Sequence, residues 1–271
     1  VSANGYHTGV VVVGGEDKAV KNTCKKTEEV ADGVFLLHDP VEPILDIVFV
    51  GENLASWTSD DGSLWPRDWL SNDLPSARII GVELKQSTKK WESYKNSIKT
   101  PALALLALLG SPILSVGDDY RPVVFVASSL GGLVVKEMLI GAEVDNPSLF
   151  SSSRLVAFYS TPHTDESYAN YSLQVTTTQH NTFSKEDITA LQQGSDSFER
   201  LHHVSSFSFG GNKIPTPKAA NPNYKATRHE FASVDGDHTS ISKPQSTEAP
   251  HYSLLFDAIK DRLELSHVYE L

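Results

Sequence analysis

"RPVVFVASSLGGLVV", residues 121 to 135, decides the fold. Pro122 to Ala127 is a near-continuous apolar run rich in β-branched residues, the pattern of a strand covered on both faces. Leu133, Lys136, Glu137 and Ile140 then recur at helical spacing through "SLGGLVVKEMLIGAEV" (129–144). The segment reads as a buried strand, an abrupt turn and a helix, with Ser129 at the turn. Ala127-Ser128-Ser129-Leu130-Gly131 follows the G-x-S-x-G nucleophile elbow, with alanine at the first small position, where smallness against the neighbouring strand is what matters. In that geometry the helix N-terminus lies beside the serine hydroxyl, and the Leu130 N–H is an oxyanion donor. The plainer alternative is a strand-to-helix turn that happens to contain serine. The apolar strand before it and Gly131-Gly132 after it favour the elbow.

Outward from this segment, further strand-like runs recur at spacings suited to crossovers: Gly9 to Val13, Val34 to His38, Asp46 to Val50, Ala77 to Val82, Arg154 to Ser160, Val204 to Phe209 and His229 to Val234. The first two are expected to form an antiparallel edge pair. Helical patterns lie between them: "WPRDWLSNDL" (65–74), "SKEDITALQQG" (184–194) with a capping-box-like start, and "HYSLLFDAIKDRLEL" (251–265) with one apolar stripe. This alternation predicts a single three-layer α/β domain over residues 1–271, its mainly parallel central sheet of about eight strands flanked by helices. Segments 163–183 and 210–227 read as lid or rim loops.

Composition narrows the partners. The 271 residues carry a formal net charge of -11, which opposes nonspecific attraction to nucleic acid or anionic lipid. Cys24 is the only cysteine, so no internal disulfide and no cysteine-based zinc site can form, and a reducing, intracellular setting fits. The most apolar run, "PALALLALLGSPIL" (101–114), is broken by Gly110 and Pro112 and falls short of the roughly 20 residues a bilayer demands, so the chain is expected not to span a membrane. His163, His202 and His203 lack a metal-ligand spacing, and "GVVVVGGEDKAV" (9–20) lacks both the dinucleotide and the P-loop pattern. No metal or other cofactor is called for.

The motifs together resemble the α/β-hydrolase family typified by the serine-active-site-containing protein, a lipase-like group. The resemblance rests on "DIVFVGENLASWTSDDGSLWPRDWLSNDLPSARII" (46–80), "RPVVFVASSLGGLVVKEML" (121–139), "FYSTPHTDES" (158–167) and "VDGDHTSISKP" (234–244). It implies Ser129 as nucleophile and His238 as general base, with His238 in the loop between the last strand and the closing helix, the chain order this fold uses. A serine hydroxyl needs such an imidazole to take its proton as it attacks an ester carbonyl. The implied substrate is a lipid or small ester, and the mitochondrial and endoplasmic-reticulum members of the group imply an organellar location.

The departures from the family carry equal weight. A His-Gly-Leu-Gly-Gly type loop normally follows the third strand and completes the oxyanion hole, but here Val50 is followed by Gly51-Glu52-Asn53-Leu54. Gly51 is left as the second oxyanion candidate, beside a Glu52 carboxylate that would repel a developing oxyanion. Ser128 stands where the family has histidine, and Ser160 where it has glycine. The triad acid expected after the seventh strand is missing from "SSFSFGGN" (205–212). A triad without its acid loses on the order of 10⁴ in kcat in the serine-protease case. Asp165, in the loop after the sixth strand, is the candidate substitute, whereas Asp235 and Asp237 read as solvated loop acids. Trp57, Trp65 and Trp69 are candidates for an acyl pocket, though Trp65 and Trp69 read first as core. Two readings stay open: a serine esterase or lipase-like hydrolase with a degenerate triad, and a catalytically impaired homologue serving as an accessory or scaffold subunit of a larger protein assembly.

Overall fold

The structure is a computed structural model that describes residues 27–84, 94–163, 196–211, 220–222, 224 and 228–263. The expected Gly9 to Val13 strand, the 184–194 helix and most of the two rim segments lie outside the described residues.

Eight strands form one sheet in the order β1-β2-β4-β3-β5-β6-β7-β8. They are β1 (Glu28–Ala31), β2 (Val34–His38), β3 (Leu45–Gly51), β4 (Ala77–Glu83), β5 (Val123–Ser128), β6 (Ser153–Tyr159), β7 (Ser205–Gly211) and β8 (His229–Val234). From β4 through β8 every pairing is parallel; only the β1–β2 and β2–β4 pairings are antiparallel. Among the described residues the antiparallel edge is formed by Val34–His38 between the polar Glu28–Ala31 and β4, while the Gly9 to Val13 half of the expected pair lies outside them. All residues of β3 and β5 are buried, as strands covered on both faces must be.

Among the described residues the helical elements are a 3-10 turn at Leu54–Trp57, a wide π-type turn at Pro66–Leu70 leading into α1 (Ser71–Asp73), then α2 (Tyr94–Leu109), a 3-10 turn at Asp118–Tyr120, α3 (Leu130–Asp145), α4 (Pro147–Ser152) and the closing α5 (Pro250–Arg262). On one face of the sheet, α2 and α3 bury Leu105, Leu109, Leu133 and Leu139 against Val48, Phe125 and Phe158. On the other face, α5 and the Trp57–Leu74 region bury Leu255 and Ile259 with Phe49, Trp65 and Phe209. The rings of Trp57 and Trp65 each meet Phe49 edge-on at 5.1 Å, and Trp65 meets Tyr252 at 5.7 Å. Trp57 and Trp65 are therefore core side chains and do not form an acyl pocket.

One buried charge ties the sheet's lower end together. Asp46, fully buried in β3, accepts from Arg78 Nε at 2.8 Å, Arg121 Nε at 2.9 Å and the Gly117 N–H at 3.0 Å. These partners answer the desolvation of the carboxylate and fix the entry of β5. That fixes where its far end delivers Ser129.

Candidate functional site

β5 runs directly into α3 through Ser129, which sits at φ 51° and ψ -126°, a conformation an L-residue adopts only when its surroundings impose it. The imposed constraints are visible. The Ser129 N–H donates to the Tyr159 carbonyl at 2.9 Å, which continues the β5–β6 ladder into the turn. A Cβ at Gly131 would lie 2.5 Å from the Val50 carbonyl oxygen, and one at Gly132 would lie 2.1 Å from Thr161 Oγ1. Both glycines of "SLGG" are therefore required by close approach, one to β3 and one to the segment after β6.

Ser129 is the N-cap residue of α3, yet its side chain makes no capping hydrogen bond. A serine at a helix N-cap ordinarily turns its oxygen back onto the N2 or N3 amide. Here the backbone is out of the extended region that permits this, and the residue lines a cleft of about 370 Å³. The same cleft is lined by Leu130, Ser128, Glu52, Asn53 and His238, with Lys243 and Thr239 also on its wall. The Leu130 N–H is in the first turn of α3, where amides have no intrahelical acceptor.

His238 lies in the loop between β8 and α5. That loop is built by Asp237, whose Oδ1 accepts from the Thr239 N–H at 3.0 Å, Thr239 Oγ1 at 2.9 Å, the Ser240 N–H at 2.9 Å and Ser240 Oγ at 3.0 Å. These donors, the Ser240 N–H foremost, hold the Asp237 carboxyl down at about 2. Asp237 is thus the scaffold of the loop, turned onto the two residues that follow His238. Farther along, Trp65 Nε1 donates to the Ser242 carbonyl at 3.0 Å and Ser59 Oγ to the Pro244 carbonyl, anchoring the loop to the aromatic core. Burial pushes the His238 imidazole down to about 4, against the opposing pull of Asp237. At neutral pH the ring is uncharged and can accept a proton, and holding that proton costs about 3 kcal/mol more than it would in water.

The structure brings Ser129, Leu130 and His238 to one cleft, and treats the remaining sequence candidates differently. Gly51 ends β3 behind the nucleophile: its carbonyl accepts the Leu84 N–H at 2.8 Å, and a Cβ on it would lie 3.0 Å from Ser128 Oγ and 3.1 Å from Trp57 Nε1. The residues of this loop on the cleft wall are Glu52, Asn53, Ala55 and Ser56, which sequence reading did not single out beyond Glu52. The one signal for Asn53 was its place ahead of a short helical turn, where it caps Leu54–Trp57 through the Ser56 N–H at 3.2 Å. The stretch that lacks the expected acid, 205–212, ends β7 with Gly210-Gly211, and a Cβ at Gly211 would lie 2.5 Å from the Gly236 carbonyl oxygen; residues 212–219, which follow β7, lie outside the described residues. The close passage of the loop that carries His238 excludes a side chain at Gly211. Asp165 lies outside the described residues.

A second cluster of polar groups lies on the α3 face of the sheet. Lys136 and His163 are both buried, and Lys136 Nζ stands 5.6 Å from the Phe158 ring and 5.7 Å from the Tyr224 ring. His229 Nδ1 pairs with Ser206 Oγ at 2.8 Å. Burial lowers the Lys136 ammonium well below its usual range, against the pull of Asp196. It lowers His163 well below 6.5 and His229 to about 4, with Lys136 adding to both. Among the described residues no group of three or more histidine, cysteine or acidic side chains is arranged to hold a metal ion. No helix among them is long and apolar enough to cross a membrane.

No protein-family model matches the chain. Among curated proteins it is similar to the zebrafish (Danio rerio) protein SERAC1, with 28% identity over 275 residues, covering 86% of this chain and 42% of that protein. The chain therefore spans less than half the length of that relative. Among solved structures it matches an α/β-hydrolase superfamily protein from Enterococcus faecalis with a TM-score of 0.55 at 11% identity, covering 89% of this chain and 98% of that one. It also matches the esterase domain of a Rhodothermus marinus protein with a TM-score of 0.50 at 14% identity, covering 84% and 89% respectively. The chain has the α/β-hydrolase fold.

Proposed function

We propose that the protein is a serine hydrolase of carboxylic esters, with Ser129 as nucleophile and His238 as general base. One observation carries this: Ser129 is held at positive φ at the head of α3, makes no capping hydrogen bond and faces the cleft that His238 also lines. A strained backbone at a cleft-facing serine is what a nucleophile requires and what a mere helix cap avoids.

In the proposed reaction Ser129 Oγ attacks the ester carbonyl carbon while His238 takes the hydroxyl proton, leaving a tetrahedral oxyanion beside the Leu130 N–H. Collapse expels the alcohol, which receives the proton from His238, and leaves an acyl-Ser129 ester. Water then attacks this ester by the same route, and the carboxylic acid departs. Asp165, in the segment that follows β6 in the sequence, is proposed as the acid partner of His238.

A catalytically silent homologue acting as an accessory subunit is the second reading, favoured by Glu52 on the cleft wall and by the close packing around Gly211 at the end of β7. Labelling with a fluorophosphonate probe separates the two. Stoichiometric labelling that disappears in Ser129→Ala is expected. Absence of labelling in a folded wild-type protein would replace the hydrolase reading with the accessory one.

A further inference from the structure

Resting on the serine-hydrolase reading, we propose that the side-chain amide of Asn53 is the second oxyanion donor of this cleft, doing with a side chain what the fold ordinarily does with the backbone of a glycine-rich loop.

The need for a second donor follows from the chemistry. A tetrahedral oxyanion flanked by a single backbone N–H is poorly stabilised, and preorganised donors are the largest catalytic contribution in acyl transfer. Leu130 supplies one donor from the α3 side. The opposite side is the segment after β3. There Gly51 is turned into the sheet, and the next residues form a capped 3-10 turn in place of a glycine loop. Four residues of this segment reach the cleft wall. The Glu52 carboxylate, when ionised, only accepts hydrogen bonds, and Ala55 has no polar side chain. The Ser56 N–H is taken by Asn53, through the Asn53 carbonyl at 3.1 Å and Oδ1 at 3.2 Å. Among the side chains of this wall that leaves the Asn53 amide and the Ser56 hydroxyl. Of these the amide has two donors, and its orientation is set, because Oδ1 is pinned to the Ser56 N–H and the NH₂ must point away from the helical turn. A preorganised donor outranks a freely rotating one, since it pays no reorientation at the moment charge develops.

Asn53 also caps the Leu54–Trp57 turn, so the test must separate a cap from a donor. Aspartate caps a helical turn as well as asparagine and serine nearly so, but an ionised aspartate donates nothing and a serine hydroxyl is too short to replace the amide. The experiment measures kcat and KM for p-nitrophenyl butyrate, together with thermal midpoints, on the full chain as wild type, Asn53→Asp, Asn53→Ser and Ser56→Ala. The expected result is an unchanged midpoint in Asn53→Asp and Asn53→Ser, with kcat falling about 10²-fold in Asn53→Ser and further in Asn53→Asp while KM stays put; about 10²- to 10³-fold is what removing one oxyanion-hole donor costs in another serine hydrolase. Rescue of kcat by Asn53→Asp would mean that only the cap matters and would overturn the assignment. So would a loss of kcat in Ser56→Ala with Asn53→Ser at wild-type rate. A wild-type protein that neither labels with fluorophosphonate nor turns over ester overturns the hydrolase reading and this proposal together. One that labels and turns over while Asn53→Ser is unaffected overturns this proposal alone.

Discussion

Two neighbouring parallel strands end in the same unfavourable turn and put it to different ends. β5 stops at Ser129 and β6 at Ser160, both at φ 51°. In each case the serine N–H continues the ladder, Ser129 to the Tyr159 carbonyl at 2.9 Å and Ser160 to the Phe209 carbonyl at 3.0 Å. The sheet therefore imposes the strain at both positions. Past Ser129 the chain enters α3 and the side chain lines an open cleft. Past Ser160, itself 1% exposed, Thr161 and His163 are buried, and Thr161 packs into the space that Gly132 leaves open. The closed turn is the support on which the open one rests, and each leads to a different histidine environment: His238 in the cleft, His163 in the interior.

The sharpest way to break this arrangement is Gly131→Ala. The added methyl would lie 2.5 Å from the Val50 carbonyl oxygen, a main-chain atom of a central strand that cannot swing aside. Overpacking of this kind costs about 3 kcal/mol, which for a chain of this size lowers the midpoint of thermal unfolding by roughly 6 to 12 °C. A calorimetric loss below about 1 kcal/mol would mean that the elbow has slack, and the claim that packing enforces the strained serine would fail.

The interior side responds to acid. His229 is held down to about 4, first by burial and then by Lys136, with Glu230 opposing. Its unfolded counterpart titrates near 6.5, so between about pH 6.5 and 4 the unfolded chain binds more protons than the folded one, and stability falls as pH falls. The loss from pH 7.5 to 4.5 is about 2 kcal/mol from this residue. His163, lowered in the same direction by burial, Lys136 and His229, adds to it. The variant His229→Gln should show a visibly flatter dependence of ΔG on pH across that window in urea titrations. An unchanged slope would show that the cluster under Ser160 relaxes on protonation and does not resist it.

The fold was legible because parallel strands covered on both faces announce themselves as continuous apolar runs. Val34–His38 and His229–Val234 coincide with their expected spans, and β3 to β7 differ by one or two residues at their ends. Glu28–Ala31 escaped because an edge strand is defined by backbone pairing, and its exposed glutamates carry no apolar signature. Ser129 and His238 were accessible from motif and chain order, properties of local sequence. Asn53 and Lys243 were not, since their place on the cleft wall follows from how two distant loops close over the sheet. The absence of a carboxylate from residues 205–212 could be read in the sequence, but the packing around Gly211 at the end of β7 could not. Only the 2.5 Å approach of the Gly236 carbonyl to a Cβ at Gly211 explains why that position admits no side chain.

The smallest expected effect is the finest probe of the two turns. Ser160→Gly removes a positive-φ penalty of about 1 to 3 kcal/mol for a residue with a Cβ, offset by the roughly 0.5–1 kcal/mol of extra chain entropy that glycine loses on folding. A net gain of about 1 kcal/mol is expected, seen as a midpoint raised by roughly 2 to 4 °C. Ser129→Gly should gain a similar amount, because the same ladder hydrogen bond sets the same φ. What distinguishes them is the accompanying loss: Ser129→Gly gives up fluorophosphonate labelling, whereas Ser160→Gly keeps it. A gain at Ser129 with none at Ser160 would mean that contacts of the buried Ser160 side chain outweigh its strain. The interior turn would then be held by packing, and only the turn at the cleft would carry unrelieved strain, which is the stronger form of the case for a nucleophile at Ser129.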